Sequence, residues 1–113
     1  MKKKIGGIWI SMSIKEKILM KHVERKLHKL QIDLVHFIPG RIRLRSTVWK
    51  ENKKLVELII LNLKSQALVY DAVFTPDTGS LLITYKASHM TNNKELEEWF
   101  QLIEQIYQEE YRA

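Results

Sequence analysis

The sequence predicts an α+β protein in which an antiparallel sheet packs against two helices, preceded by an amphipathic helix. Three observations predict this. From residue 41 onward, hydrophobic periodicities follow the order strand, helix, strand, strand, helix. A chain of 113 residues, 45% of them hydrophobic, can bury one compact core. The charge is also divided unevenly, because residues 1–30 carry a balance of +7 and residues 31–113 carry −1. We therefore expect a basic arm and helix at residues 1–31 and a globular domain at residues 32–113.

The first predicted helix covers residues 14–30. Ser13 and Glu16 have the spacing of a capping box at its start. One stripe of the helix is apolar, and the opposite side is basic with Lys17, Lys21, Arg25, His28 and Lys29. The apolar stripe consists of Leu19, Met20, Val23, Leu27 and Leu30. Leu58 and Leu61 lie on the far side of the second helix, so we expect the first helix to cover them.

Two strands are predicted at residues 33–38 and 41–47, separated by Pro39 and Gly40. Proline followed by glycine is typical of a turn, which allows either a tight hairpin or one long strand with a bulge. In the second strand, Ile42 and Leu44 alternate with three arginines. A half-buried strand would therefore present Arg41, Arg43 and Arg45 together on its outer face.

The remaining elements are two helices and a hairpin. The second helix is predicted at residues 51–67, with an apolar stripe at Val56, Ile59, Ile60, Leu63 and Ala67. A hairpin follows at residues 69–75 and 80–86, around a loop that ends on Gly79. The third helix opens near Asn92 and gathers its apolar residues on one face, namely Leu96, Trp99, Phe100, Ile103, Ile106 and Tyr107.

This order of elements matches a ferredoxin-like βαββαβ pattern that lacks its last strand. If residues 33–38 turn back at Pro39 and pair antiparallel with residues 41–47, they fill the vacant edge position. The predicted fold is therefore a ferredoxin-like antiparallel sheet with two packed helices, plus the N-terminal amphipathic helix.

Three segments resemble the cysteine-free branch of the heavy-metal-associated domains. They are residues 36–45 with Pro-Gly-Arg-Ile-Arg, residues 67–74, and residues 78–85 with Thr-Gly-Ser. Such domains occur as small bacterial proteins and as N-terminal modules of heavy-metal-transporting P-type ATPases. The resemblance implies the ferredoxin-like fold and an association with transition-metal transport or storage, with iron as one candidate metal. Related copper carriers hold Cu(I) between two thiolates after the first strand, where this chain has Thr47–Glu51 and no cysteine at all.

The arginine triplet is the sharpest candidate binding site. Arg41, Arg43 and Arg45 are suited to hold phosphate, carboxylate or an acidic helix by paired hydrogen bonds. Alternatively, they pair with Asp71 or with the Glu-rich third helix and only solubilise the sheet. His36 is a weak candidate metal ligand without a second donor at metal spacing, so we predict no metal site and no cofactor.

Other classes of function find less support. The strands offer few aromatic residues for stacking bases, so we do not expect nucleic-acid binding. No nucleophile has a neighbouring base and no phosphate loop is present, so we expect no enzyme activity. The short apolar run after Lys4 differs from a cleaved signal peptide, and we expect a cytoplasmic protein.

The sequence thus predicts a non-enzymatic accessory or regulatory protein of metal transport that binds a protein partner such as a P-type ATPase. The alternative is a membrane-surface adaptor, peripheral at the inner face of the membrane, that acts through its basic arm. The residues expected at an anionic membrane surface are Lys2, Lys3, Lys4, Ile8, Trp9, Lys17, Lys21 and Arg25. The oligomeric state is not predicted by any pattern in the sequence.

Overall fold

The computed structural model describes residues 14–87 and 93–111. Its elements, in chain order, are α1 (Ile14–Lys29), β1 (Asp33–Ile38), β2 (Arg41–Arg45), a 3-10 helix (Thr47–Glu51), α2 (Lys53–Lys64), β3 (Val69–Thr75), β4 (Ser80–Tyr85), α3 (Asn93–Ile106) and a π-helical turn (Tyr107–Tyr111). All predicted helices and strands are present. Their ends differ from the predicted ends by a few residues, chiefly in α2, which is shorter than residues 51–67.

The four strands form one antiparallel sheet in the order β1-β2-β4-β3. The hairpin alternative is confirmed, because Ile38 pairs with Arg41 and Asp33 pairs with Arg45. β1 therefore occupies the edge position beside β2, where the last strand of a ferredoxin-like fold would lie. At the turn, Gly40 has φ +89°, a value that glycine adopts without the steric cost of a side chain.

The helices pack on one face of this sheet. α3 contacts both α1 and α2, so it lies between them, while α1 also contacts β1 and α2 contacts β3. The predicted apolar face of α3 is buried at all six positions, from Leu96 to Tyr107. Sheet residues that face the helices, such as Ile42, Leu44, Leu81 and Ile83, are at most 1% exposed. The predicted α+β, ferredoxin-like fold is confirmed.

α1 contributes to the same hydrophobic core as the sheet. Met20, Val23 and Leu27 are each at most 3% exposed, whereas the basic residues of its other side face solvent. The predicted amphipathic helix is therefore present. The domain boundary at residue 31 stays a prediction, and Ser13, the expected cap, lies outside the described residues.

The expected contact between α1 and the far side of α2 is wrong. Among the described residues α1 makes no contact with α2, because α3 occupies the space between them. Leu58 is half-buried against the core, and Leu61 remains 66% exposed. The helix layer is thus ordered α1, α3, α2, with α1 and α2 above opposite edges of the sheet.

The β3–β4 hairpin packs closely against the end of β2. Gly79 has φ +68°, and its carbonyl oxygen accepts a hydrogen bond from the backbone N–H of Ser46 at 3.0 Å. A Cβ atom at position 79 would lie 2.9 Å from the Ser46 carbonyl oxygen. Glycine is therefore required at position 79 by both the backbone conformation and the close approach of the Ser46 backbone. The Ser46 side chain in turn accepts a hydrogen bond from the Val48 N–H and begins the 3-10 helix.

Candidate functional site

The face of the sheet turned away from the helices carries the three arginines of β2. The burial pattern of this strand alternates exposed and buried, so Arg41, Arg43 and Arg45 point to the open side while Ile42 and Leu44 point to the core. Successive arginines are two residues apart on an extended strand, which separates them by about 6.8 Å along its axis. We refer to the open side of the sheet, centred on these residues, as the arginine face.

The strand register defines the neighbours of each arginine. Three rows cross the open side from β1 to β3. The middle row is His36, Arg43, Leu82 and Val73. On one side of it lies the row Ile38, Arg41, Thr84 and Asp71. On the other side lies the row Asp33, Arg45, Ser80 and Thr75. The β1–β2 half of the arginine face is therefore mainly basic, and the β4–β3 half is apolar or hydroxyl-bearing except for Asp71 on the edge strand β3.

The arginines have no carboxylate partner among the described residues. The ion pairs found there do not include Arg41, Arg43 or Arg45. Asp71, the expected partner on β3, lies 3.7 Å from the Lys64 amine instead. The Glu-rich α3 packs on the opposite side of the sheet, so its carboxylates cannot reach the arginine face. The alternative in which the triplet pairs with Asp71 or with α3 is therefore not found among the described residues.

The apolar half of the arginine face was not singled out from the sequence. In this half Val73 is 49% exposed, and Leu82 is half-buried between Arg43 and Val73. Ile38, which is 40% exposed, lies at the other edge of the sheet beside Arg41. A signal was present in β4, where Leu82 lies between Leu81 and Ile83, which both face the core. The strict alternation in this strand assigns Leu82 to the open side.

The segment that holds copper in related carriers is a structural anchor in this chain. Thr47–Glu51 forms a 3-10 helix whose Trp49 is 1% exposed. The Trp49 indole Nε1 donates a hydrogen bond to the Tyr107 hydroxyl at 2.7 Å, and its ring meets Phe74 edge to face at 6.3 Å. The largest side chain of the segment thus points into the core, and none of its residues provides a thiolate or an imidazole.

Metal ligands are not clustered in the described part of the chain. No group of three His, Asp or Glu side chains there has a geometry that could hold a metal ion. His36 is half-buried, and its cross-strand neighbour is Arg43. A guanidinium group next to an imidazole opposes the approach of a cation, so this position is poorly suited to a metal.

The open side of the sheet also lacks a platform for nucleic-acid bases. Tyr85 packs on Trp99 with ring centroids 5.1 Å apart, and Phe74 packs on Trp49, so both aromatic rings face the helices. Tyr70 is 69% exposed, but it lies at an irregularity in the edge strand β3. The central strands β2 and β4 present no aromatic side chain on the arginine face.

The second predicted surface is only partly described. Lys17, Lys21 and Arg25 are exposed on the side of α1 that faces away from the core. Lys2, Lys3, Lys4, Ile8 and Trp9 lie outside the described residues. Within the described residues, no helix combines the length and apolar character needed to cross a bilayer.

Comparison with known protein families agrees with the fold and with the resemblance noted in the sequence. Residues 12–110 match the family model described as heavy metal associated domain 2, and the matched range includes α1. Comparisons with curated proteins and with solved structures each gave no match. The match extends over nearly the whole chain, and this protein therefore belongs to the heavy metal associated domain 2 family.

Proposed function

We propose that this protein is a non-enzymatic accessory or regulatory component of transition-metal transport or storage, and that it binds a protein partner through the arginine face. The partner class is a metal-transporting P-type ATPase or a related membrane protein. One observation carries the proposal. Three arginines project side by side from a central strand, and none pairs with a carboxylate among the described residues.

The fold gains little from this arrangement. Like charges about 7 Å apart repel by about 0.6 kcal/mol per pair in water. Among the residues that pair with the triplet on β1 and β4, only Asp33, opposite Arg45, is a carboxylate, so it offsets this repulsion only in part. Guanidinium groups in a row are instead well suited to form bidentate hydrogen bonds with carboxylates from outside. The energetic balance therefore supports a binding role over a stabilising one.

The two halves of the arginine face indicate what the partner must present. Carboxylates would meet the arginines of β2, and apolar side chains beside them would cover Leu82 and Val73. An acidic helix fits this pattern, because residues four apart on a helix rise by about 6 Å and arginines two apart on a strand are separated by about 6.8 Å. We expect an acidic, amphipathic segment of the partner to lie along β2 and β4.

The role proposed in metal transport is regulatory and does not involve carrying the ion. Soft ions such as Cu(I) require thiolate or thioether ligands, and the segment Thr47–Glu51 is folded around the buried Trp49. Its neighbour Ser46 is 3% exposed and caps this 3-10 helix. In this proposal the partner handles the metal ion, and this protein is associated with metal transport only because it binds that partner.

Charge reversal tests the proposal. In the arginine-face variant, Arg41→Glu, Arg43→Glu and Arg45→Glu are combined. The control, the α1 variant, combines Lys17→Glu, Lys21→Glu and Arg25→Glu and changes the net charge equally. Copurification with the cytosolic domains of a metal-transporting P-type ATPase from the same genome is expected to be lost only in the arginine-face variant. Undiminished binding by that variant, or equal loss in both, would contradict the proposed site.

A further inference from the structure

We infer that the outward side of α1 is a second binding surface and that its ligand is an anionic lipid bilayer. We call this surface the α1 ridge, formed by Ile14, Lys17, Ile18, Lys21 and Arg25. Docking here is peripheral, with side chains entering the headgroup region and no segment crossing the bilayer. It is independent of the partner binding proposed for the arginine face.

The apolar part of the ridge consists of two neighbouring isoleucines. Ile14 is 75% exposed and Ile18 is 66% exposed, while the core stripe of the same helix is buried on its other side. The two residues are four apart, so their side chains are adjacent on the helix. Single exposed apolar residues are common, but an adjacent pair at the solvent side of an otherwise polar helix face indicates an interaction site.

The charged part of the ridge surrounds these isoleucines. At 100° per residue, Ile14, Ile18, Lys21 and Arg25 fall within an arc of about 60°. α1 contains six Lys or Arg residues and two Glu residues, a balance of +4 before its histidines are considered. Apolar side chains flanked by lysine and arginine on one helical face are typical of helices that lie in an anionic membrane interface.

Acidic groups border the ridge without interrupting it. On the α3 side, Glu97 and Glu104 line a groove together with His22 and Lys26 of α1. On the β1 side, Glu24 and Asp33 line a groove of about 400 Å³ together with Lys21, Arg25 and His28. In both grooves these acidic residues lie next to basic residues of α1, so the part of the helix that projects furthest from the core carries the basic excess.

The position of α1 in the fold makes such docking geometrically possible. α1 lies at one side of the helix layer, above the edge strand β1, and contacts only α3 and β1 among the helices and strands described. A bilayer can therefore approach the ridge from the side away from α3 and its glutamates. Because the helices cover the opposite face of the sheet, the arginine face would remain free to bind a cytosolic segment of a membrane protein.

Flotation of the full chain with lipid vesicles tests the inference. Vesicles of phosphatidylcholine alone are compared with vesicles that also contain phosphatidylglycerol, at low and at high salt. We expect binding only with phosphatidylglycerol, with release at high salt because screening weakens surface electrostatics. Failure of the full chain to float with phosphatidylglycerol vesicles at low salt would overturn the inference.

Three variants locate the surface. The α1 variant should lose affinity by more than about 100-fold, because each basic residue removed near an anionic membrane contributes about a factor of five and the three new glutamates add repulsion. The combination of Ile14→Ser and Ile18→Ser should weaken vesicle binding severalfold and leave the salt dependence of that binding unchanged. The arginine-face variant, with an equal charge change, should bind vesicles as the unmodified chain does. Vesicle binding that survives in the α1 variant but is lost in the arginine-face variant would assign lipid contact to the sheet.

Two further outcomes would reassign the ridge. If substitution of Lys2, Lys3 and Lys4 by serine abolishes flotation while the α1 variant still floats, the lipid contact belongs to the chain before α1. If the full chain does not bind the vesicles but binds an RNA oligonucleotide, and that binding requires Lys17, Lys21 and Arg25, the ridge is a nucleic-acid-binding surface. Neither result depends on the ATPase assay, so the two proposals fail independently.

Discussion

The indole nitrogen of Trp49 donates a hydrogen bond to the hydroxyl oxygen of Tyr107 over 2.7 Å, and both side chains are 1% exposed. This contact ties the 3-10 helix after β2 to the turn that follows α3. It satisfies the indole N–H inside the core, where an unpaired donor would be costly. A segment that holds a metal ion in related carriers therefore serves here to join the sheet to the helix layer.

Replacing Tyr107 by Phe should destabilise the protein by about 1–3 kcal/mol, because the buried indole N–H loses its acceptor. Urea denaturation monitored by circular dichroism measures this change. In the double variant Tyr107→Phe with Trp49→Phe, the loss of unfolding free energy should be smaller than the sum of the losses in the two single variants. The reason is that both substitutions remove the same hydrogen bond. Strictly additive losses would mean that the hydrogen bond contributes nothing to stability.

Gly79→Ala should be more destabilising than Gly40→Ala. At position 79 the new Cβ would lie 2.9 Å from a backbone oxygen, whereas at position 40 its nearest neighbour is the Ala87 side chain at 3.3 Å. Both positions have positive φ, which costs a side chain about 1–2 kcal/mol, so the difference between the variants reports the clash with Ser46. Thermal unfolding of both variants provides the comparison, and equal losses would argue against close packing of the hairpin.

Leu27→Ala should cost about 2–5 kcal/mol, the usual range for a buried leucine, because Leu27 is 2% exposed in the core. Ile18→Ala, on the same helix but 66% exposed, should change stability by no more than about 0.5 kcal/mol. Chemical denaturation of both variants tests whether α1 folds as part of the domain. A negligible effect of Leu27→Ala would support the separate N-terminal arm expected from the charge distribution.

The purified protein should bind Cu(I) or Zn(II) no more tightly than about micromolar, because it has no cysteine and no described cluster of imidazole and carboxylate ligands. Isothermal titration of metal-free protein measures the affinity directly. A stoichiometric site of nanomolar affinity would contradict this expectation and direct attention to His36, the candidate ligand on β1.

Local periodicity was sufficient to predict most of the fold. The six apolar positions predicted for the third helix are all buried, and β1 and β3 have the predicted ends, because each pattern reflects one element packed on one core. The arginines of β2 were likewise assigned to an exposed side from alternation alone. Placing β1 at the vacant edge required only the turn at Pro39 and the known order of strands.

Features that depend on contacts between distant elements could not be predicted in this way. No local signal indicates that α3 separates α1 from α2, or that Trp49 reaches Tyr107, which is 58 residues away. The apolar half of the arginine face also depends on register, since Leu82 becomes a neighbour of Arg43 only when β2 pairs with β4. Sequence alternation assigns a residue to one side of a strand, but the partner strand determines what lies beside it.

The central claim is that the arginine face binds the partner, and amide chemical-shift mapping tests it most directly. Isotopically labelled protein is titrated with the cytosolic domains of a metal-transporting P-type ATPase. The account predicts that the largest shifts occur along β2 and β4, at Arg43 and Leu82 above all, with little change in Thr47–Glu51. Shifts confined to Thr47–Glu51 and the turn after α3, with β2 unchanged, would contradict it.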